Sequence, residues 1–355
     1  MHTENQKCSA AVIDSHSKIE KYFDCVAQLG KYVVNKESLI VLISAIITTY
    51  RRKPDIVTRA LRSVMKQTFS DIEIIVVDDS PIDFEEREAV WKGVLDTCKT
   101  AILLSTGGCK GAPAARNIGI KEATGEYIAF LDDDDEWMPE KIEKQLEGFT
   151  SDEMGMVYSG IIINDEIDDA SYVRDVKHYS GKIHDLLLSK SNFIGSTSGP
   201  LIRKTCLENI GGFDESLESG QDYDLYIRLA KLYDVQFVSG EYTIYHRHTG
   251  ERLSTNVLAK YHGRRRLIEK YSEDLERNPH AWISHYRSLI LCYSKMGNKK
   301  DALWIWVCTV RKNPCDVLRN MKYFLFALVS EKSILIQGYN RIKKSIRKSK
   351  NLLKR

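Results

Sequence analysis

Four consecutive aspartates at positions 132–135 are the residues of this chain whose type and spacing point most directly to chemistry. They follow the apolar segment 127–131, which is typical of a strand covered on both faces, so the acids should emerge where a buried strand ends. Two unit charges about 4 Å apart repel by roughly 4 kcal/mol at an effective dielectric of about 20. A cation among the carboxylates relieves this cost, and Mg²⁺ or Mn²⁺ takes oxygen ligands and shares them with substrate phosphates.

A solvated acidic loop is the alternative interpretation of this run. The buried strand before it and Trp137, Met138 and Pro139 after it tie the run to the fold instead. The sequence also lacks a Gly-x-Gly-x-x-Gly motif after the first strand and a phosphate loop ending in Gly-Lys-Ser/Thr. We therefore predict a metal–diphosphate site in which the metal and side chains hold the phosphates.

The elements that must position this site alternate between strand and helix. Apolar, β-branched runs predict strands at 39–47, 72–77, 101–104 and 127–131, and helical patterns separate them. This alternation indicates an α/β fold with a parallel sheet and crossover helices. Such sheets bind ligands beyond the carboxyl ends of their strands. Polar clusters follow three of the strands, at 48–50, 78–80 and 132–135, and we expect them to meet at one edge.

Composition narrows the function classes. The chain has 355 residues, a hydrophobic share of 43% and a net charge of +3, without the basic and aromatic pattern of a single-strand nucleic-acid binder. Its eight cysteines include no Cys-x-x-Cys pair, which predicts free thiols rather than zinc or a disulfide framework. No signal-peptide core or membrane-spanning apolar run is present, so a cytoplasmic protein is expected. The missing basic and aromatic pattern predicts that the protein has no nucleic-acid partner.

The sequence resembles a family 2 glycosyltransferase of the GT-A type, a class common in bacterial polysaccharide synthesis. The resemblance covers about residues 39–254, and its motifs occur in the family's order at 48–50, 67–69, 77–80, 114–119, 125–139, 211–215 and 221–224. It implies a doubly wound, mostly parallel sheet, to which the C-terminal helices are an appendage. It also implies inverting transfer from a nucleotide-sugar, with Mg²⁺ or Mn²⁺ as cofactor.

The resemblance implies a set of donor-binding residues: Thr48, Tyr50, Asp78, Asp79, Arg116, Asn117, Asp132 and Asp133. In this set Thr48 and Tyr50 would line the nucleotide pocket, and Asp79 would accept a hydrogen bond from the base, typically uracil. Asp78 would lie beside Asp79. Arg116 would suit phosphate through its planar guanidinium, with a structural salt bridge as the alternative.

The resemblance also implies a metal site. The family's Asp-x-Asp motif maps on Asp132 and Asp134. Asp134 would be the direct ligand, and Asp132 would lie near the ribose or the metal. His248 is counted with the metal-site residues and would approach the diphosphate or close the lid. A purely structural histidine is the alternative for His248.

Asp222 is the implied catalytic base. It lies at the start of a helix predicted at 221–232, where the helix dipole favours a charged carboxylate. A simple N-cap is the alternative for this residue, and Asp224 is the second candidate for the base. The family usually has Glu-Asp at this point, whereas here Gln221 precedes Asp222, which removes one charge but keeps a side chain of similar length.

Four regions are predicted from these patterns: an N-terminal helical extension at 1–38, the GT-A domain at 39–255, a helical region at 256–338 and a basic tail at 339–355. Within the GT-A domain, the acidic segment 164–178 predicts a loop, and a strand at 236–238 is expected to end in a turn. Helices are predicted at 261–271, 281–296, 300–311 and 317–330. Residues 341–355 contain eight basic residues and no acid. A basic amphipathic helix there would contact the anionic inner face of the plasma membrane, and a solvated, disordered tail is the alternative.

The predicted reaction moves a sugar from a nucleotide-diphosphate donor, UDP-sugar by resemblance, to a hydroxyl of a saccharide or lipid-linked saccharide acceptor. The expected setting is the synthesis of surface polysaccharide, lipopolysaccharide or capsule. A sugar nucleotidyltransferase is the first alternative, although the basic segment 50–53 lacks the glycines of such enzymes. A non-catalytic sugar-nucleotide-binding scaffold is the second.

Overall fold

The computed structural model describes residues 41–174, 176–248, 256–314 and 323. The predicted extension at 1–38 and the basic tail at 339–355 lie outside the described residues, as does a helix expected at 317–330 apart from residue 323. The boundaries between the four predicted regions stay predictions. Within the described part of the chain, no helix is long and apolar enough to cross a membrane.

The first half of the described chain alternates strands and helices. In order, the elements are β1 (Ile43–Thr49), α1 (Pro54–Met65), β2 (Ile72–Asp78), α2 (Arg87–Thr97), β3 (Ile102–Ser105), α3 (Ala112–Glu122) and β4 (Tyr127–Asp132). All four strands are parallel and lie in the order β3-β2-β1-β4. The predicted α/β fold with a doubly wound sheet is confirmed.

The second half of the chain extends the same sheet. Its elements are β5 (Glu136–Trp137), α4 (Lys141–Leu146), β6 (Met154–Asp165), β7 (Ala170–Val173), α5 (His184–Lys190), β8 (Leu201–Arg203), α6 (Lys204–Asn209), α7 (Gln221–Leu232) and β9 (Asp234–Arg247). The order continues from β4 as β8-β6-β9-β5, and β7 pairs with β6. Strand β8 is antiparallel to both of its neighbours, whereas β6 and β9 are parallel.

Two expectations about this half are wrong. The segment 164–178, expected to be a loop, contains β7, which pairs antiparallel with the end of β6. The strand expected at 236–238 does not end in a turn but continues as β9 to Arg247. Its glycine at 240 lies at a register shift rather than a chain reversal: a Cβ atom on Gly160 of β6 would lie 2.8 Å from the Gly240 carbonyl oxygen. A bulge absorbs the extra residues there while the pairing continues.

Local sequence explains how the helices are held against the sheet. Helix α1 begins with Pro54, where the missing amide hydrogen costs nothing, and buries Val57, Leu61 and Val64 at helical spacing. Helix α3 approaches β1 closely at Gly119, since a Cβ atom there would lie 2.5 Å from a side-chain carbon of Ile46. These contacts fix the ends of β1, β2 and β4 relative to one another.

Four further helices follow the sheet: α8 (Val257–Lys270), α9 (Ser272–Arg277), α10 (Pro279–Lys295) and α11 (Lys299–Lys312). The expected helices around residues 261–271, 281–296 and 300–311 are confirmed, with slightly longer bounds. Helices α10 and α11 form a hairpin at Gly297, which has a left-handed φ of +79°. Helix α8 is joined to α7 through Lys270 Nζ, which lies 2.8 Å from Asp224 Oδ1.

Candidate active site

The carboxyl ends of β1, β2 and β4 meet at one edge of the sheet, which we call the rim. In the strand register Thr48 lies opposite Asp132, and Thr49 lies opposite Asp78. The predicted meeting of three polar clusters at one edge is therefore seen in the structure. Thr48 is half-buried at the end of β1, and Tyr50 next to it is 46% exposed.

The first two aspartates of the acidic run each face an arginine. Asp132 Oδ1 accepts hydrogen bonds from Arg116 Nη2 at 2.7 Å and from Thr197 Oγ1 at 3.1 Å. Asp133 Oδ1 accepts from Arg52 Nε at 2.8 Å. Burial raises the pKa of Asp133 to about 7, although the charge of Arg52 opposes the shift. Each of these two carboxylates is therefore paired with an arginine of the protein.

The last two aspartates differ sharply in their surroundings. Asp134 Oδ2 lies 2.7 Å from Arg52 Nη2 and 2.9 Å from His248 Nε2. Asp135 is fully buried, and its Oδ2 accepts a hydrogen bond from Ser198 Oγ at 2.6 Å. Burial and the neighbouring charges of Asp132 and Asp134 raise the pKa of Asp135 well above its usual range. Asp134 therefore lies at the rim, whereas Asp135 is part of its buried support.

The two aspartates that end β2 are largely used by the protein itself. Asp78 Oδ2 accepts from Arg87 Nε at 2.9 Å and from Trp91 Nε1 at 2.7 Å, which holds the start of α2. Asp79 accepts the backbone amides of Lys110 and Gly111 at 2.7 and 2.8 Å and so shapes the loop before α3. Asp79 also accepts a hydrogen bond from Thr106 Oγ1 at 2.5 Å. A carboxylate can accept about four hydrogen bonds, so Asp79 keeps capacity for one more, from a nucleobase. Donor contact by either residue stays a prediction.

Arg116 and Asn117 leave α3 in different directions. Arg116 is buried, 7% exposed, and reaches Asp132 with one terminal nitrogen and Gln221 Oε1 with the other, at 3.2 Å. Asn117 both donates to the carbonyl of Phe213 and accepts its amide, at 3.0 and 2.8 Å. Asn117 thereby fixes the Gly-Gly-Phe loop, while Arg116 joins the acidic run to the start of α7. Their predicted contacts with the donor stay predictions.

Asp222 lies at the second position of α7, next to Gln221. The N-cap is Gly220, so the capping alternative for Asp222 does not hold. Its Oδ2 accepts from Asn192 Nδ2 at 2.8 Å, and its Oδ1 from the amide of Tyr223 at 2.8 Å. Burial raises the pKa of Asp222, and the nearby charge of Asp132 adds to that shift while Arg116 opposes it. Arg116, through its contacts with Asp132 and Gln221, connects the acidic run to the residue next to Asp222.

Asp224, the second candidate for the base, has a different environment. It is fully buried, and its two oxygens are taken by Arg228, Lys270 and Tyr271, each at 2.7–2.8 Å. Full burial and these three partners leave Asp224 no oxygen open to an acceptor hydroxyl. The structure therefore favours Asp222 over Asp224.

Several residues at the rim escaped the sequence analysis. Arg52 bridges two aspartates, Asn192 holds Asp222, and Thr197 and Ser198 support the acidic run. Arg52 could have been found from the basic segment that directly follows β1. Asn192 carried no signal, because a single asparagine in a loop shows nothing of the helix that it will meet.

The carboxylates at the rim include oxygens that could bind a divalent cation. Among the described residues, no group of three acidic, histidine or cysteine side chains forms a ready-made metal site. However, no hydrogen bond from a described residue reaches Asp132 Oδ2 or Asp134 Oδ1. Mg²⁺ is usually held by one or two carboxylates together with substrate phosphates and water. Two carboxylate oxygens at the rim fit that requirement.

The fold and its site define a class. A crystal structure of Staphylococcus aureus TarS, residues 1–349, in complex with UDP-GlcNAc matches this chain with a TM-score of 0.50 at 15% sequence identity, over 76% of this chain and 89% of that one. The parallel half-sheet, the acidic run after β4 and the antiparallel extension are those of the GT-A fold. The C-terminal helices follow that domain, as expected.

The sequence comparisons give the family. The model of glycosyl transferase family 2 matches residues 44–211. A glycosyl transferase of Escherichia coli K12 named for colanic acid biosynthesis, WcaA, is 30% identical over 251 residues, which are 66% of this chain and 83% of that protein. WfaP of Escherichia coli, named as a UDP-Glc:α-D-GlcNAc-diphosphoundecaprenol β-1,3-glucosyltransferase, is 37% identical over 124 residues, 34% of this chain and 47% of that protein. The chain belongs to glycosyltransferase family 2 and is a transferase.

Proposed function

We propose that this glycosyltransferase transfers a sugar, with inversion, from a UDP-sugar to a hydroxyl of a saccharide acceptor. The observation that carries the proposal is the position of Arg116, which contacts Asp132 at the rim and Gln221 beside Asp222. One guanidinium thereby links the carboxylates expected near the leaving diphosphate to the carboxylate expected near the acceptor. An inverting displacement needs these two functions close together on opposite faces of one sugar.

Asp222 is the proposed general base. Its raised pKa suits a group that must take up a proton, and each of its oxygens accepts only one hydrogen bond from the described residues. Asp222 takes the proton of the acceptor hydroxyl as that oxygen forms a bond to the anomeric carbon. The bond from the anomeric carbon to the diphosphate oxygen breaks, and its electron pair leaves with the nucleoside diphosphate.

Gln221 has a supporting role in this proposal. Its amide oxygen faces Arg116, whereas its amide nitrogen donates to the carbonyl of Leu217 at 3.0 Å. A glutamate at 221, which the family usually has, would add a second acid to the same guanidinium. With glutamine there, the charge of Arg116 remains available to Asp132 and to the diphosphate.

Asp134 and Asp132 are the residues proposed to hold Mg²⁺ or Mn²⁺, with His248 against Asp134. The cation, when bound, neutralises charge that develops on the leaving diphosphate. The chain's own contribution is to orient the carboxylates. Thr197 and Arg116 donate hydrogen bonds to the side chain of Asp132, and Ser198 Oγ accepts the backbone amide of Asp132. Thr48, Tyr50 and Asp79 are the proposed contacts of the nucleoside at the neighbouring strand ends.

The proposed setting is surface polysaccharide synthesis on a saccharide or lipid-linked saccharide acceptor. The names of the relatives support it, since one is named for colanic acid biosynthesis and another for a diphosphoundecaprenol acceptor. A cytoplasmic location at the inner face of the membrane belongs to the same proposal. The basic tail at 341–355 is the segment proposed to touch the membrane, with no part in the chemistry.

The test is donor turnover by the full chain with Mn²⁺. UDP release should be measured over a panel of UDP-sugars, with and without acceptor, for wild type and Asp222→Asn. General acid–base catalysis contributes about 10²- to 10⁴-fold, so the variant should lose about that factor in turnover and still bind UDP. Asp96→Asn, which changes an exposed aspartate on α2, is the matched control and should behave as wild type. Near-normal turnover by Asp222→Asn refutes the base, and an absence of UDP binding refutes the function.

A further inference from the structure

The acidic run already holds a cation that belongs to the protein. Arg52 Nε lies 2.8 Å from Asp133 Oδ1, and Arg52 Nη2 lies 2.7 Å from Asp134 Oδ2. The Arg52 side chain is 23% exposed, and the two carboxylates are 8% and 15% exposed. Charge-assisted hydrogen bonds of this length are about twice as strong as neutral ones, and partial burial screens them less than surface pairs.

The same two carboxylates have further protein partners. The backbone amide of Tyr50 approaches Asp133 Oδ2 at 3.4 Å, and His248 Nε2 lies 2.9 Å from the Asp134 oxygen that Arg52 contacts. A divalent cation on the other oxygen of Asp134 would share one carboxylate with the guanidinium. The cation and the guanidinium are both positive, and on the same carboxylate they would repel each other. The guanidinium therefore lowers the affinity of this site for a free cation.

Arg52 is suited to a second anion. Burial lowers the pKa of Arg52, but the charges of Asp133 and Asp134 outweigh burial and raise it, so the side chain is always charged. Arg52 follows Tyr50 in the segment between β1 and α1, beside the proposed nucleoside contacts. Its planar group matches phosphate oxygens as well as it matches carboxylates. A nucleoside diphosphate at the rim would offer the guanidinium such oxygens.

We propose that Arg52 is a resident counter-ion of the acidic run, which turns from Asp133 and Asp134 to the donor's diphosphate when donor and divalent cation bind together. This inference rests on the proposed function and extends it to the order of binding. In the exchange the cation pairs with the carboxylates of Asp132 and Asp134, and the guanidinium pairs with the phosphates. Free cation then binds weakly, and cation and diphosphate each raise the affinity for the other by the same factor.

The test is Mn²⁺ binding by the full chain, followed by the EPR signal of free Mn²⁺, with and without saturating UDP. Wild type should bind Mn²⁺ weakly alone and more tightly with UDP. In Arg52→Gln the affinity for Mn²⁺ without UDP should rise by about tenfold, within the usual range of coupling between sites, and the added effect of UDP should shrink. Arg52→Lys keeps the charge and should bind free Mn²⁺ nearly as wild type does.

Arg51→Gln is the matched control, because it removes the same charge from the neighbouring residue. The Arg51 guanidinium lies over the Tyr50 ring, with its central carbon 5.5 Å from the ring centroid, and it forms no ion pair with any described carboxylate. Free Mn²⁺ affinity should therefore match wild type. If Arg52→Gln binds Mn²⁺ alone no more tightly than Arg51→Gln, the counter-ion role is wrong. If wild type binds neither UDP nor Mn²⁺ under any condition, the proposed function itself fails.

Discussion

The helix that carries Asp222 is anchored from the C-terminal region, and Tyr271→Phe tests that anchor. Tyr271 Oη donates to Asp224 Oδ1 at 2.7 Å, and the carboxylate is fully buried. A hydrogen bond to a charged group contributes about 1.5–3 kcal/mol net. Lys270 and Arg228 still neutralise Asp224 after the change, so we expect the free energy of unfolding to fall by about 2 kcal/mol.

The assay is urea unfolding followed by far-UV circular dichroism, with the transition midpoint as the readout. Tyr261→Phe is the control: the Tyr261 hydroxyl contacts that of Tyr293 at 3.1 Å in a less buried position, and its loss should cost below about 1 kcal/mol. Asp224→Asn should cost more than Tyr271→Phe, because it leaves Lys270 and Arg228 near a neutral group. Equal midpoints for Tyr271→Phe and Tyr261→Phe would contradict the buried anchor.

Three further predictions follow from the rim and the tail. Asn192→Ala should lower kcat about tenfold with the KM for donor unchanged, since the hydrogen bond to Asp222 is lost together with the two that Asn192 makes with the backbone of Gly195. Ser191→Ala is the control, and an altered donor KM would contradict the assignment. The pKa of Asp133 is about 7 in the fold, above its usual value, so Asp133 should make stability fall as pH rises from about 4 to 7. Urea midpoints of Asp133→Asn should decline less over this range than those of wild type, because the raised pKa of Asp135 still contributes. Deletion of residues 341–355 should abolish sedimentation with anionic vesicles but leave UDP binding intact, and unchanged sedimentation would remove the membrane contact.

Much of the fold could be predicted from local patterns. Alternating apolar runs and helical periodicity located β1, β2, β3, β4 and the helices between them, because burial on both faces imposes a composition on each strand. The local patterns did not predict strand β7 or the full length of strand β9. Strand β7 has four half-exposed or exposed residues and no apolar run, and β9 passes through a glycine bulge that resembles a turn in the sequence.

The candidate site likewise has features that could be predicted from local sequence and others that could not. The sequence alone shows that an acidic run leaves a buried strand, that polar residues end two neighbouring strands, and that an aspartate begins a later helix. It therefore supplied the types of the groups and their order along the chain. These features are local, since each depends on residues within a few positions of one another.

The pairing of those groups depends on long-range contacts in the folded chain. Arg52 meets Asp133 across 81 positions of chain, and Arg116 meets Gln221 across 105. The same folding buries Asp135, leaves Asp134 at the rim and commits Asp224 to the helices that follow. Such contacts depend on strand register and on the loops that carry each side chain to the rim, and neither leaves a periodic trace in the sequence.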